Sequence, residues 1–196
     1  MQFDADEFDA QHFDYENASE EECWAAIPFL EGSMKAHTLN HLGGLAFERS
    51  DFAKASMLAD QAAVEWQRIG CDFEAAKCYS NAGSCLHQNG EIEQAITFYG
   101  TAASIASDAR EEEFYANTNM VLSQIHLELF DFEKSLEFSL LAMHAAETLD
   151  NNVLKIHSYE SVGTAYGNLG QTEIALDFFQ KGLELSSQQG SIKHAA

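Results

Sequence analysis

From residue 36 onward, small and large apolar positions recur in a register of 40 residues. Gly43, Gly83, Ser123 and Gly163 mark it, and each follows an apolar residue: Leu42, Ala82, Leu122 or Val162. Twelve positions later come Ala55, Ala95, Ser135 and Ala175, and seven beyond those Ala62, Ala102, Ala142 and Gly182. Two antiparallel helices approach closely only where facing side chains are small, so these small columns predict the crossing points of helical hairpins. Leu39, Tyr79, Leu86, Tyr99, Tyr159, Tyr166 and Phe179 are large enough to fill the space between crossings. Ahead of each second helix stand Ser50, Gly90, Phe130 and Gly170, followed by Asp51, Glu91, Asp131 and Gln171. The acidic members suit the positive end of the helix that follows. The pattern predicts helices over 36–49, 52–69, 73–89, 92–108, 112–129, 132–149, 153–169 and 172–188. These make four hairpin repeats, 36–75, 76–115, 116–155 and 156–190, with a short tail over 191–196. An isolated hairpin cannot bury its apolar face, whereas a stack of at least three shares one core.

The repeat resembles the tetratricopeptide repeat. The likeness rests on Tyr159-x2-Val162-Gly163-x2-Tyr166, then Ala175 and Phe179, in repeat four, and on Tyr79-x2-Ala82-Gly83-x2-Leu86, then Ala95 and Tyr99, in repeat two. Repeat one keeps Leu39, Leu42, Gly43 and Ala55 but has Ala59 at the aromatic position. Repeat three departs further, with Asn119, Ser123 and Ser139. The unit is longer than the familiar 34 residues and lacks its closing proline. It is therefore similar to the longer-helix class of kinesin light chains, Pins-type spindle adaptors and bacterial peptide-pheromone receptors. That resemblance implies an all-α, right-handed α-solenoid of four antiparallel helical hairpins. It also implies a concave groove lined by the first helix of each hairpin, with a protein or peptide as ligand.

In that register the groove-facing positions are His37, Asn40, His41, Gly44 and Phe47, then Lys77, Ser80, Asn81, Ser84 and His87. Repeat three contributes Asn117, Met120 and Gln124 together with Leu127, and repeat four His157, Glu160, Thr164 and Asn168. Neutral hydrogen-bonding groups dominate this set. They suit an extended peptide backbone, whose donors and acceptors all need partners once desolvated. Asn81 matches a position where related repeats use Asn to hold the ligand backbone. The basic clamp by which chaperone-binding relatives hold a C-terminal carboxylate is not formed, since Asn40, Gly44, Ser80 and Ser84 occupy its places and Lys77 alone cannot make it.

Residues 1–18 fall outside the register. They carry a five-residue motif, Phe3-Asp4-Ala5-Asp6-Glu7, Phe8-Asp9-Ala10-Gln11-His12, Phe13-Asp14-Tyr15-Glu16-Asn17, whose period matches neither helix nor strand. This acidic Phe-Asp tail is either a solvated segment or one that docks on the repeat domain through its phenylalanines. From Ser19 a capping box with Glu22 starts a helix, expected over 19–35, bent at Pro28 and covering the open end of repeat one.

Charge narrows the partners. With 32 acidic against 10 basic residues the net charge is −22. A phosphate backbone or an anionic membrane surface is repelled, whereas a basic protein is steered in. The start of the sequence has no basic and apolar leader, and four cysteines do not make a disulfide framework, so the expected compartment is cytoplasmic. Cys78 and Cys85, two turns apart, read as buried small hydrophobes. Met143, the Phe130/Phe132 pair and Met120, which the groove register also includes, suit the core. His37 and His41 have a metal-ligand spacing but no third ligand, so no metal and no cofactor is expected. No phosphate-binding loop, dinucleotide fingerprint or nucleophile elbow is present. The expected function is therefore non-enzymatic: an adaptor or regulator that binds a peptide segment. The alternative is a chaperone-like or self-assembling scaffold that uses its helix edges and termini.

Overall fold

The computed structural model describes residues 9, 10 and 12–194, with side chains up to residue 188. Among these residues every regular element is helical. They are α1 (Glu20–Ala26), α2 (Gly32–Glu48), α3 (Phe52–Arg68), α4 (Asp72–Gln88), α5 (Ile92–Ala109), α6 (Glu112–Glu128), α7 (Phe132–Glu147), α8 (Asn152–Asn168) and α9 (Thr172–His194), with a 3-10 turn over Ile27–Phe29. None is long and apolar enough to cross a membrane. The chain divides between Ile105 and Ala106, inside α5, into two compact units.

The first unit opens with the capping box. The Glu22 amide donates to Ser19 Oγ at 3.3 Å, and the Ser19 amide donates to the Glu22 carboxylate at 2.8 Å. The helix expected over 19–35 is interrupted. Pro28 sits at the start of the 3-10 turn, where a missing amide is tolerated, Leu30 and Glu31 are extended, and α2 begins at Gly32. α1 nevertheless joins the core, with Cys23 packed beside Leu39, Leu42, Leu58 and Trp66. Glu20 ties it to the hairpin below by accepting from Arg49 and from Lys54. The Arg49 guanidinium is the leading cause that holds the Glu20 carboxyl below its ordinary range. α3 packs between α2 and α4. α5 closes on α4 by its first half: a Cβ added at Gly83 would come within 3.1 Å of the Tyr99 ring, which explains why glycine stands there.

In the second unit α6 pairs with α7, α7 with α8 and α8 with α9. Gly163 faces Phe179 even more tightly, at 2.8 Å for a notional Cβ. Repeat three makes its crossing with hydroxyls instead. Ser123 and Ser135, both fully buried, meet at 3.0 Å, and Ser123 also meets Ser161 at 3.3 Å.

Most helices end alike, on a residue in the left-handed region: Ser50, Gly70, Gly90, Arg110, Phe130 and Gly170. The amide after each such residue reaches back to an earlier carbonyl of the closing helix, as Glu91 does to Leu86 and Asp131 to His126, both at 2.9 Å. This is the hydrogen-bond closure that satisfies the last free carbonyls of a helix. Phe130 corrects one expectation. It is not core: its φ of 58° turns the ring outward, 79% exposed, with an edge-on contact to Phe132 at 6.2 Å.

Candidate functional site

The departure of repeat one from the aromatic column has a structural consequence. Tyr99 and Phe179 fill the space beside Gly83 and Gly163, but Ala59 leaves the space beside Gly43 open. A cleft of about 350 Å³ results between α2, α3 and α4. Its floor is Gly43, Ala55, Ala59 and the buried Cys85. Asn40, Gly44, Phe47 and Glu48 form one wall, and Asn81 and Ser84 the other. Phe47 is 43% exposed and held edge-on against Phe52 at 5.3 Å. A Cβ added at Gly44 would meet nothing within 4 Å, so the backbone of α2 is open to an approaching chain there. The Cys78 thiol donates to the Asn40 carbonyl oxygen at 3.9 Å. That contact orients the amide and leaves its donors to face solvent.

Burial pushes the Cys78 thiol up to about 11, and burial also raises Cys85. Both therefore stay protonated at neutral pH, and the floor of the cleft is uncharged. Tyr99 lies behind Ser84, its hydroxyl bonded to it and its acidity suppressed first by burial.

The remaining sequence candidates distribute as follows. His37 and His41 lie further up α2 beneath Tyr15, whose ring stacks on His37 at 5.5 Å and 3° and meets His41 edge-on at 6.1 Å. His37 in turn rests edge-on against Trp66 at 4.9 Å. Lys77 is not an isolated charge, because it pairs with Glu74 at 2.6 Å and lies over the Phe73 ring. Ser80 and His87 are half-buried on α4. In the second unit, Asn117 and Gln124 are exposed on α6, the latter donating to Glu128 at 3.3 Å, and Met120 packs partly into the core. On α8, His157 pairs with Glu160 at 3.2 Å, Thr164 donates to the Glu160 carbonyl and Asn168 to the Thr164 carbonyl. The cleft thus gathers Asn40, Phe47, Asn81 and Ser84. The α8 set stands instead as a helix surface whose polar groups bond mostly to their own helix. Gly43, Glu48, Ala55, Ala59 and Cys85 line the cleft although sequence reasoning did not place them in the groove, and Tyr15, stacked on His37, stands outside its lining. Ala59 was visible as a break in the aromatic column, whereas nothing in the register points to Tyr15. Among the described residues no three His, Cys, Asp or Glu side chains converge as a metal site requires.

A family model described as the tetratricopeptide repeat matches residues 76–108 and 156–189, the two repeats whose small and aromatic columns are most complete. The chain is of the tetratricopeptide-repeat type. Solved structures agree on this fold. BtubC (BKLC) from P. vanneervenii superposes with a TM-score of 0.74 at 14% identity, over 87% of this chain and 71% of that one. A putative kinesin light chain from Podosopora anserina, with nearly identical TPR-like repeats, gives 0.71 at 12% identity, over 87% and 84%. A Rap protein complexed with competence and sporulation factor gives 0.61 at 15%, over 87% of this tetratricopeptide chain and 48% of the Rap chain. At such identities the likeness is one of fold. No curated protein matches the sequence.

Proposed function

We propose that this chain is a non-enzymatic interaction module that holds an extended segment of another protein across the α2–α4 cleft of its first unit. The observation that carries this reading is the opening beside Gly43. An uncharged, partly apolar floor is bordered by the exposed amides of Asn40 and Asn81, and by Phe47 as an apolar anchor. An extended backbone needs such amide partners when it leaves water. The net charge of −22 favours a segment that carries lysine or arginine, and it supports a water-facing, cytoplasmic adaptor or regulator. The Rap neighbour, solved with a bound factor, is in keeping with a binding role for the fold.

The N-terminal arm enters the same reading. Phe13, Tyr15 and Ala18 pack against the first unit, and Tyr15 covers His37 and His41. A bound segment that extends from Asn40 toward His37 must displace that ring, so the arm acts as a resident competitor. Residues 1–8 and 11, the rest of the segment for which self-docking is expected, lie outside the described residues. Tyr15→Ala should tighten the binding of any segment that reaches His37.

The test uses the full chain as bait, with mass spectrometry to identify what it retains. Ala59→Phe restores the aromatic that repeats two and four carry, so the variant should fold with an unchanged or higher melting temperature and lose the partner. Asn81→Ala should weaken retention by the equivalent of about 1–3 kcal/mol. A partner held undiminished by both variants would remove the cleft as its site. The scaffold alternative would then gain, and Glu137→Ala on the outer face of α7 would be the informative change.

A further inference from the structure

The 40-residue register allows α9 to be compared with the second helices that precede it. Ala59, Ala63 and Trp66 on α3 are all buried, at 4%, 0% and 6% exposure, and Ala63 and Trp66 share a cluster with Ala75 and Cys78 of α4. Ser139, Met143 and Ala146 on α7 are likewise buried, at 0%, 7% and 0%, and Ala146 meets Leu154 of α8. In each case the first helix of the next hairpin covers the columns. On α9 the same columns hold Phe179, 41% exposed, and Leu183, 69% exposed, with Leu176 at 61% one turn before them. The spacing of Leu176, Phe179 and Leu183 puts them on one stripe. The stripe borders an open groove of about 830 Å³ together with Gln180 and Glu184. Large apolar side chains thus stand in water at the positions where this fold receives a helix. By helical periodicity Glu173, Asp177 and Glu184 fall along the flank of the stripe away from α8, and all three are exposed. Lys181 does not neutralise that flank, since its ammonium lies over the Phe178 ring at 4.6 Å.

We propose that the outer face of α9 binds an amphipathic α-helix of another protein, with an apolar stripe flanked by lysine or arginine, laid where a following hairpin would place its first helix. The geometry comes from α4 on α3 and α8 on α7. The charge of the partner comes from the acidic flank. A second copy of this chain is a poor occupant, because each copy carries a net charge of −22. The site is separate from the α2–α4 cleft and does not depend on the function proposed for it.

The test titrates the full chain into a fluorescently labelled Leu/Lys amphipathic peptide of about 18 residues, some five helical turns, and into its Leu/Glu analogue. Binding of the first and not the second is expected. The double variant Leu176→Ser/Leu183→Ser changes no charge and touches only exposed side chains, so its circular dichroism and melting should match the parent. It should weaken the Leu/Lys peptide at least tenfold, whereas Ala59→Phe should leave that affinity unchanged. Equal affinity for parent and double variant would reduce the binding to charge alone and overturn the proposal. Loss on Ala59→Phe would overturn it by placing the peptide in the cleft. Self-association in sedimentation that the double variant abolishes would overturn it in favour of a second copy.

Discussion

The two units build the same hairpin from different interiors. The first is held by volume: Leu39, Leu42, Leu58 and Trp66 fill it, and among its described residues the buried polar side chains are Thr38 and Ser56. The second buries Thr118, Asn119, Ser123, His126, Ser135, Ser139 and Ser158. Most of these bond locally. Thr118 donates to the Phe114 carbonyl, Asn119 to Tyr115, Ser139 to Leu136 and Ser158 to Lys155, all within 2.8–2.9 Å. A helix can thus bury hydroxyls and amides by returning them to its own carbonyls. The crossing of two helices demands smallness rather than hydrophobicity, and serine meets that demand if its hydroxyl finds a partner. The first unit should therefore answer to lost volume, and the second to lost hydrogen bonds.

The largest effects should separate the units directly. Leu58→Ala, at a fully buried site, should destabilise by about 2–5 kcal/mol in urea unfolding. Tryptophan fluorescence follows that unit, since Trp24 and Trp66 are the two tryptophans of the chain and both lie in it. Ser123→Ala removes far less volume but orphans the buried Ser135 hydroxyl, and should still cost about 1–3 kcal/mol. Adding Ser135→Ala should recover most of that loss, because the fully buried partner is then gone as well and only the half-buried Ser161 hydroxyl, which water can reach, loses a contact. Additive losses would refute the hydroxyl pairing as the basis of repeat three.

A smaller effect is expected where two chain reversals differ. Ser50 in the first unit and Phe130 in the second both hold a left-handed φ, and Phe130 exposes its ring as well. Phe130→Gly should stabilise by about 1 kcal/mol, since glycine lacks the Cβ that makes this region costly. A lower unfolding midpoint would mean that the contact of Phe130 with Phe132 outweighs the backbone cost.

The smallest effect is one of pH. His126 is 4% exposed, stacked on Phe138 at 5.3 Å, and its Nδ1 has no hydrogen bond, lying 3.6 Å from Asp131. Burial is the leading cause that holds its pKa below the ordinary value, and the Asp131 carboxylate pulls the other way. The unfolded chain therefore takes the proton more readily. The stability that His126 contributes is complete above about pH 6.5 and falls as the pH drops through it. Melting followed by circular dichroism should show this slope, and His126→Phe should flatten it.

The sequence made the helices legible because the small columns at Gly43/Ala55, Gly83/Ala95 and Gly163/Ala175 are steric necessities that repeat. The helix ends were half legible. Gly90 and Gly170 announce a left-handed reversal, but Ser50, Arg110 and Phe130 adopt the same φ without the residue that signals it, so Phe130 read as core. The cleft was present in the sequence only as an exception, Ala59 in an aromatic column. Tyr15 on His37 was hidden because a stacking contact across 22 positions leaves no trace in any period. Pro28 marked the place where the first helix breaks, but the extended Leu30 and Glu31 depend on how α1 packs on Leu39 and Trp66, which local propensity does not encode.

Among its described side chains, α9 buries only Ala175 and Gly182. Held along one side, it is the helix whose amides should exchange earliest and where a protease should find its first foothold. Whatever covers its outer face also withholds those bonds from hydrolysis, in proportion to how much of the time it is there. The lifetime of the chain in a cell is thereby tied to the concentration of what it meets at that end.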